Sequence, residues 1–574
     1  MKCKIILLIL TLTAVSRLTA SDFDPFSESK SEYDRRAQWL HDAKVGVFIH
    51  WNPSSVIAKE ISWCRKKYGA EQYDQLYKRF TAEHFDADAW IKLFYGAGIR
   101  YAVIVPKHHD GFCMFETATS EYNVMHTPFG RDYVKEMAAA CVRGGVKFCL
   151  YYSILDWWNT KYTGKKNGDL TEYKEQVFKP HMRELLTNYP QAGYIWFDGS
   201  WEASWTHTDG REMYAFIRNL QHDVLVGNRI EPRGPGGDVD TYYPAPDAVG
   251  DFQAREIRLG KFGDEKAWDK CYKLCQEGWS WGDPMTPRPL HIILSELIQT
   301  VGRDGSYLIG VGPRPDGTID QPSSQRLLEI GGWLTMHGEA IYGTRGGPYL
   351  PGNWGVSTRK GNSIYLFITN WWSGGVTLPA LSAKVRSSRV LSGGSVRLAI
   401  SGSDMQITIP ENFRQPVATV VEIALDGDAM ALPLIAVQPE KRLSHGKPVV
   451  TSSVWKGREK LMGPSCITDD NDDTFWVAEK NAKEAVVTVD LQQEYSVGSI
   501  QLSDAPYKRT RKFDVEALIG EQWIRQVSGT DIGESLDLSF LPVRARQWRL
   551  IIRKSNGTPT LATFAIFAAL TPIP

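Results

Sequence analysis

The chain has 574 residues, and its 66 basic side chains are balanced by 66 acidic ones, so no global field exists to gather nucleic acid or anionic lipid. Hydrophobic content of 43% and charged content of 23% exclude a disordered, collagenous or small disulfide-held chain, and the length calls for three or four domains. The 20 tryptophans and 24 tyrosines are the unusual feature, since such side chains fill cores and also line concave ligand sites.

The first 20 residues read as an export signal. Lys2 and Lys4 precede an apolar core, Ile5 to Leu12, and Leu18-Thr19-Ala20 offers a small residue before a cut. That core is too short to span a bilayer, and no later run of about 20 apolar residues follows, so no membrane span is expected. With Cys3 removed, the remaining cysteines are odd in number and cannot all pair internally; buried free thiols are the simpler expectation. Export with little dependence on disulfides suits a bacterial periplasmic or extracellular enzyme.

From residue 30 to about 340, short apolar or aromatic runs alternate with amphipathic stretches. The runs are Val45–His50, Tyr101–Pro106, Val146–Tyr152, Tyr194–Asp198, Val224–Asn228 and Tyr307–Val311. The stretches include Asp88–Ala97, Asp132–Arg143, Glu172–Asn188, Gly210–His222, Leu290–Val301 and Ser323–His337. Such alternation predicts a parallel sheet with crossover helices, and the length favours a closed (β/α) TIM-like barrel over residues 21–345. No Gly-rich phosphate loop follows the first strand, which weighs against nucleotide binding. Beyond Arg345-Gly346-Gly347, short alternating runs with Gly and Ser turns predict a β-sandwich over 346–439. Short strands between 440 and 574 predict a second one.

Chemistry in a (β/α) barrel sits at the C-terminal ends of the strands. Those ends here read His50-Trp51-Asn52, Lys107-His108-His109-Asp110-Gly111, Tyr151-Tyr152-Ser153, Trp196-Phe197-Asp198-Gly199 and Asn228-Arg229. Neutral hydrogen-bonding groups, indoles and carboxylates without a phosphate cradle suit a sugar, whose hydroxyls need paired donors and acceptors and whose apolar face can lie on an aromatic ring. Glycoside cleavage needs two carboxyl groups, one at the anomeric carbon and one to protonate the leaving oxygen. Asp198, closing its strand, is the natural nucleophile. His50, His108 and His109 also allow a zinc triad, although adjacent strand residues point to opposite faces and the 108–109 pair would need a bend to share one ion.

At these residues the sequence resembles glycoside hydrolase family 29, the α-L-fucosidases. The resemblance is carried by FIHW (48–51), KHHDGFCMF (107–115), TPFGRD (127–132), LYYSILDWW (150–158), WFDG (196–199), VGPRPDGTI (311–319) and HGEAIYGTRGGP (337–348). It implies retaining exo-hydrolysis of terminal α-L-fucosyl residues through a covalent glycosyl–aspartate on Asp198, with no cofactor for catalysis. It implies sugar-binding roles for His50, His108, His109, Tyr152, Trp196 and Arg229. Trp63 resembles the aromatic beside the sugar's C5 methyl, although Glu60-Ile61-Ser62-Trp63 departs from the commoner Glu-Trp pairing. Relatives carry a Trp-Glu pair where this chain has Trp268-Asp269. Asp269 is therefore the acid/base expected by position, and Glu256 the second candidate. A C6 hydroxyl is rejected only weakly by an apolar pocket, so α-L-galactosidase specificity is an alternative, as is a glycan-binding relative impaired in catalysis.

The C-terminal segment resembles a discoidin-like, coagulation factor 5/8 C-type module. Gly446–Val449, Ile467–Asp470, Asp473–Trp476 and Pro542–Leu550 carry the resemblance. It implies a galactose-type glycan ligand, for which Trp455, Tyr507 and Trp523 are either platforms or core; several such domains hold a structural calcium, and the oxygen-rich stretch from Asp469 to Thr474 is compatible with one or with a solvated turn.

Overall fold

The computed structural model describes residues 23–568, apart from 165–167, 235–245, 257–258, 261, 264–265, 372–374, 438–441, 472–473 and 505–506. The expected export segment lies outside the described residues.

Eight parallel strands build the first domain: Val45–Ile49 (β1), Tyr101–Ile104 (β2), Lys147–Ser153 (β3), Tyr194–Asp198 (β4), Leu225–Val226 (β5), Phe252–Arg255 (β6), Ala267–Lys273 (β7) and Ser306–Val311 (β8). Their order, β5-β4-β3-β2-β1-β8-β7-β6, leaves one seam, between β5 and β6. A single parallel bridge, Gly227 to Phe252, closes it, beside the hydrogen bond from Asp251 N to Val226 O (2.6 Å). The sheet is thus a nearly closed barrel, as the alternation predicts. The sequence reading missed β6 and β7. The residues Phe-Gln-Ala-Arg and Ala-Trp-Asp-Lys-Cys-Tyr-Lys lack the apolar run that marked the other strands.

Strand parity sorts side chains to two cores. Inward residues, among them Phe48, Tyr101, Val103, Cys149, Tyr151, Tyr194, Trp196, Phe252 and Cys271, fill the barrel. Outward residues such as Val47, Ile104, Tyr152, Ile195, Phe197 and Ile309 join the helices in the larger core. The helix Lys30–Ala43 (α1), capped by a Ser29/Glu32 box, plugs the N-terminal mouth. Its Ala37 and Leu40 enter the barrel core, and Tyr33 donates to Asp251 O (2.9 Å) while accepting from Ala267 N (2.8 Å). The opposite mouth is left for the site. Ala87–Gly96 (α2), Tyr133–Gly144 (α3), Lys179–Thr187 (α4), His207–Leu220 (α5), Leu290–Gly302 (α6) and Gln321–His337 (α7) lie where amphipathic spacing predicts helices.

Two all-β units follow. In the first, five antiparallel strands (345–346, 355–360, 363–368, 385–390 and 419–425) face three (376–379, 397–401 and 404–408) across Ile364, Leu366, Met405, Ile407, Val421 and Ile423. In the second, two long bulged strands, Ala485–Ser503 and Leu536–Ser555, pair antiparallel over Trp476, Phe513, Trp548 and Phe564. None of the described helices is long and apolar enough to cross a membrane. The described cysteines are all free thiols.

Candidate active site

The open mouth holds a cavity of ≈ 60 Å³ lined by His50, His108, Trp196, Asp198 and Glu256, with Trp63 at the edge and Phe48, Ile61, Cys271 and Trp279 as its apolar walls. Each polar group arrives from a different strand end, as the barrel geometry requires.

Asp198 ends β4 and is 16% exposed. Its Oδ2 accepts from the Tyr151 hydroxyl (3.1 Å) and lies 3.5 Å from His109 Nε2. Its Oδ1 lies 3.5 Å from a guanidinium nitrogen of Arg229, and Glu256 Oε2 lies 3.4 Å from the same nitrogen. The two carboxylate oxygens therefore stand at most roughly 7 Å apart, the two distances laid end to end. That bound accommodates the ~5–5.5 Å separation of retaining pairs. Arg229 is itself fixed: Nε donates to Ala254 O (2.9 Å) and the guanidinium lies 4.3 Å from the Trp196 ring centroid.

The histidines are oriented from behind. His108 Nδ1 pairs with Ser62 Oγ and His109 Nδ1 with Ser153 Oγ, each at 2.7 Å. Ser62 has φ 58°, an uncommon left-handed setting for serine, and the same hydroxyl accepts from Asp110 N (3.0 Å). The bend needed by the 108–109 pair is present. Gly111 sits at φ +83°, where an added Cβ would fall 2.2 Å from Asp156 Oδ1. Burial holds all three imidazoles neutral: His50 is pushed down to about 3, His109 to about 4 despite nearby Asp198, and His108 well below its ordinary value. The zinc reading has no geometric support among the described residues, where no group of three metal-ligating side chains converges.

Four expected residues do not line the cavity: His109 and Arg229 lie behind it against Asp198, and Asp269 and Tyr152 reach neither the cavity nor Asp198. Asp269 points into the barrel but two positions deeper than Cys271, which lines the cavity, and so lies about 6.6 Å below it. It is fully buried on the floor, where Oδ2 accepts from Tyr194 (2.8 Å). Burial pushes its carboxyl up to about 7, opposed by Tyr194, the Trp196 indole and the Arg229 charge. Tyr152 faces outward. Its hydroxyl meets His181 Nδ1 (2.8 Å), and its ring packs on Phe178. Its neighbour Tyr151 takes the inward place.

The sequence reading missed Tyr151, Trp279 and Glu60 as lining residues. Glu60 accepts from Trp279 N (3.0 Å) and Ser280 Oγ (3.3 Å), and burial pushes its carboxyl up. Trp63 is 52% exposed, with its ring edge-on to His109 (5.2 Å) and stacked toward Trp201 (6.1 Å). In the turn expected to hold calcium, Asp469 accepts from Asn471 N (3.0 Å) and the Thr474 hydroxyl (2.7 Å). Asp470 pairs with Arg442 and His445. Asp472 and Asp473 lie outside the described residues.

The comparisons agree with this geometry. A family model described as Alpha-L-fucosidase matches residues 10–339, and one described as NedA-like, galactose-binding domain matches 466–550. Tissue alpha-L-fucosidase of Bos taurus is 30% identical over 370 residues, covering 58% of this chain and 75% of that protein. Alpha-L-fucosidase isoenzyme 1 from Paenibacillus thiaminolyticus superposes with TM-score 0.62 at 30% identity, covering 69% of this chain and 99% of that one. An alpha-L-fucosidase from Vibrio sp. strain EJY3 shares the fold over 94% of this chain and 98% of its own, with TM-score 0.64 at 20% identity. Barrel, rim and paired carboxylates define a glycoside hydrolase. Within that class the chain belongs to the α-L-fucosidase family, glycoside hydrolase family 29, and carries a galactose-binding-type C-terminal domain.

Proposed function

We propose that the chain is an exported, retaining exo-α-L-fucosidase that removes terminal α-L-fucosyl residues from glycans. The observation that carries this is the pair Asp198 and Glu256, both lining one cavity and both within 3.5 Å of one Arg229 nitrogen. Asp198 attacks the anomeric carbon as the glycosidic C–O bond breaks, and Glu256 gives its proton to the departing oxygen. Water then attacks the same carbon, Glu256 takes up a proton, and Asp198 is released. Tyr151 and His109 hold the attacking carboxylate, so little reorganisation is needed at the moment of reaction. His50, His108 and Trp196 receive the hydroxyls and ring, Arg229 holds the two carboxylates, and Trp63 closes over the apolar face. Glu256 is assigned the acid/base role in preference to Asp269, because only Glu256 reaches the cavity. The apolar walls Phe48, Ile61, Cys271 and Trp279 favour a C6 methyl over a C6 hydroxyl.

The test is azide rescue on an aryl α-L-fucoside with an activated leaving group. Glu256→Ala with azide should give the α-fucosyl azide, after two inversions. Asp198→Ala with azide should give the β-azide, after one. Rescue of Asp269→Ala instead of Glu256→Ala would overturn the assignment, and faster release from the α-L-galactoside would overturn the substrate.

A further inference from the structure

A second cavity, of ≈ 350 Å³, lies where the barrel meets the C-terminal domain. Tyr272 and Lys273, ending β7, and Arg288 form its barrel wall, beside the first turn of α6, whose N-terminus carries no side-chain cap. Tyr507, Lys508, Arg509, Arg511 and Asp531 form the facing wall. Five cations thus surround one carboxylate.

Part of that charge is already matched. Glu296, behind the wall, accepts from Arg288 (2.6 Å) and Lys508 (2.7 Å), and Arg511 pairs with Asp531 (3.1 Å). Two cations are not matched. Lys273 Nζ donates to Gln276 O (2.7 Å), and Arg509 donates to Thr558 O (3.0 Å) while lying 4.2 Å from the Tyr507 ring centroid. Neither has a carboxylate oxygen within 4.0 Å among the described residues. Arg511 Nε is buried without a partner. The cavity therefore offers two cations outside any ion pair among the described residues, a helix N-terminus and two tyrosine rings, which together suit an acidic sugar better than a neutral one.

Its position says which part of a substrate would reach it. The Tyr272 ring lies 6.4 Å from Trp279, a wall of the fucose pocket. The strand β7, which Tyr272 and Lys273 end, pairs with β6, which leads directly into Glu256, so the cavity lies on the side of the proton donor. The leaving group departs on that side.

We propose that this interdomain cavity is a leaving-group subsite for an acidic glycan, in which Lys273 and Arg509 receive a carboxylate or sulfate carried by the sugar next to the fucose. The inference rests on the fucosidase reading and deepens it. It makes the C-terminal domain part of the specificity of the site as well as a separate glycan-binding module.

The experiment uses the full chain and three fucosides of one linkage, whose second sugar is neutral, uronic or sulfated. One acidic substrate should be cleaved with kcat/KM at least about tenfold above the neutral one, and the ratio should shrink as salt rises. Arg509→Gln should bring the ratio near one while leaving turnover of the simple aryl α-L-fucoside unchanged. Tyr507→Ala, at an exposed ring, serves if Arg509→Gln fails to fold. The uronic and sulfated arms tell the two anions apart. A ratio near one in the native protein, or one unaltered in either folded variant, overturns the proposal. If the native protein leaves the aryl fucoside uncleaved, the fucosidase reading itself fails. The subsite is then tested by ligand-observed NMR with the fucose-free acidic disaccharides; binding lost in Arg509→Gln supports it, and no binding overturns it.

Discussion

Asp269→Asn separates the barrel floor from the chemistry above it. In the folded chain the Asp269 carboxyl is pushed up from the ordinary 3.8 to about 7 by burial. A carboxyl raised in this way binds its proton more tightly when folded than when unfolded. Its contribution to stability is complete below about 3.8 and is lost as pH rises toward 7, with no further loss above that. A difference of about three in pKa corresponds to about 4 kcal/mol. Asparagine keeps an acceptor for Tyr194 and cannot ionise. The unfolding free energy of the variant, minus that of the native chain, should therefore rise by about 4 kcal/mol between pH 4 and pH 8, measured by urea titration of the barrel transition. Turnover of an aryl α-L-fucoside should stay within about threefold, since the group lies beneath the cavity. A difference flat with pH would refute the buried-carboxylate argument. A loss of a hundredfold or more in kcat would return Asp269 to the mechanism.

Three other perturbations probe the site. Tyr151→Phe removes the donor to Asp198 and should lower kcat about tenfold, whereas Tyr152→Phe should leave kcat unchanged and cost ~1–3 kcal/mol by orphaning His181 Nδ1; equal kinetic effects would refute the assigned strand parity. Gly310→Ala places a Cβ 2.7 Å from the Trp279 ring, driving the indole into the fucose pocket, so KM should rise about tenfold with the circular dichroism spectrum retained; an unchanged KM would show that Trp279 is not a wall. Treatment with a chelator should leave turnover unchanged, because no group of three metal-ligating side chains converges among the described residues; a loss restored by zinc would refute a metal-free site.

Much of the barrel was legible because six of its strands carry uninterrupted apolar or aromatic runs. The strands β6 and β7 were not, because their inward residues include Asp269, and such groups erase the apolar signature while remaining compatible with a buried strand. The same two strands carry the acid/base question, so the sequence register that favoured Asp269 over Glu256 had no strand to anchor it. Depth within a barrel is set by pairing: Asp269 sits level with Ser306, the first residue of β8. A motif match carries no such level. The adjacent tyrosines 151 and 152 posed the simpler problem of facing. Both are aromatic and buried, and only strand pairing decides which one looks inward. Asp198, Arg229 and the histidines were readable because each ends, or lies within five residues of the end of, a strand that was itself clear.

The barrel's seam runs beneath the reactive pair. Asp198 belongs to the firmly laddered half of the ring, whereas Glu256 hangs from the strand on the far side of a join made by one bridge. Arg229 is the clasp, gripping Ala254 O across that join while touching both carboxylates. Any widening of the join would move Glu256 away from Asp198, so the spacing of the pair leans on the few contacts that cross it, Arg229 to Ala254 O and Ala254 N to Asn228 Oδ1 among them.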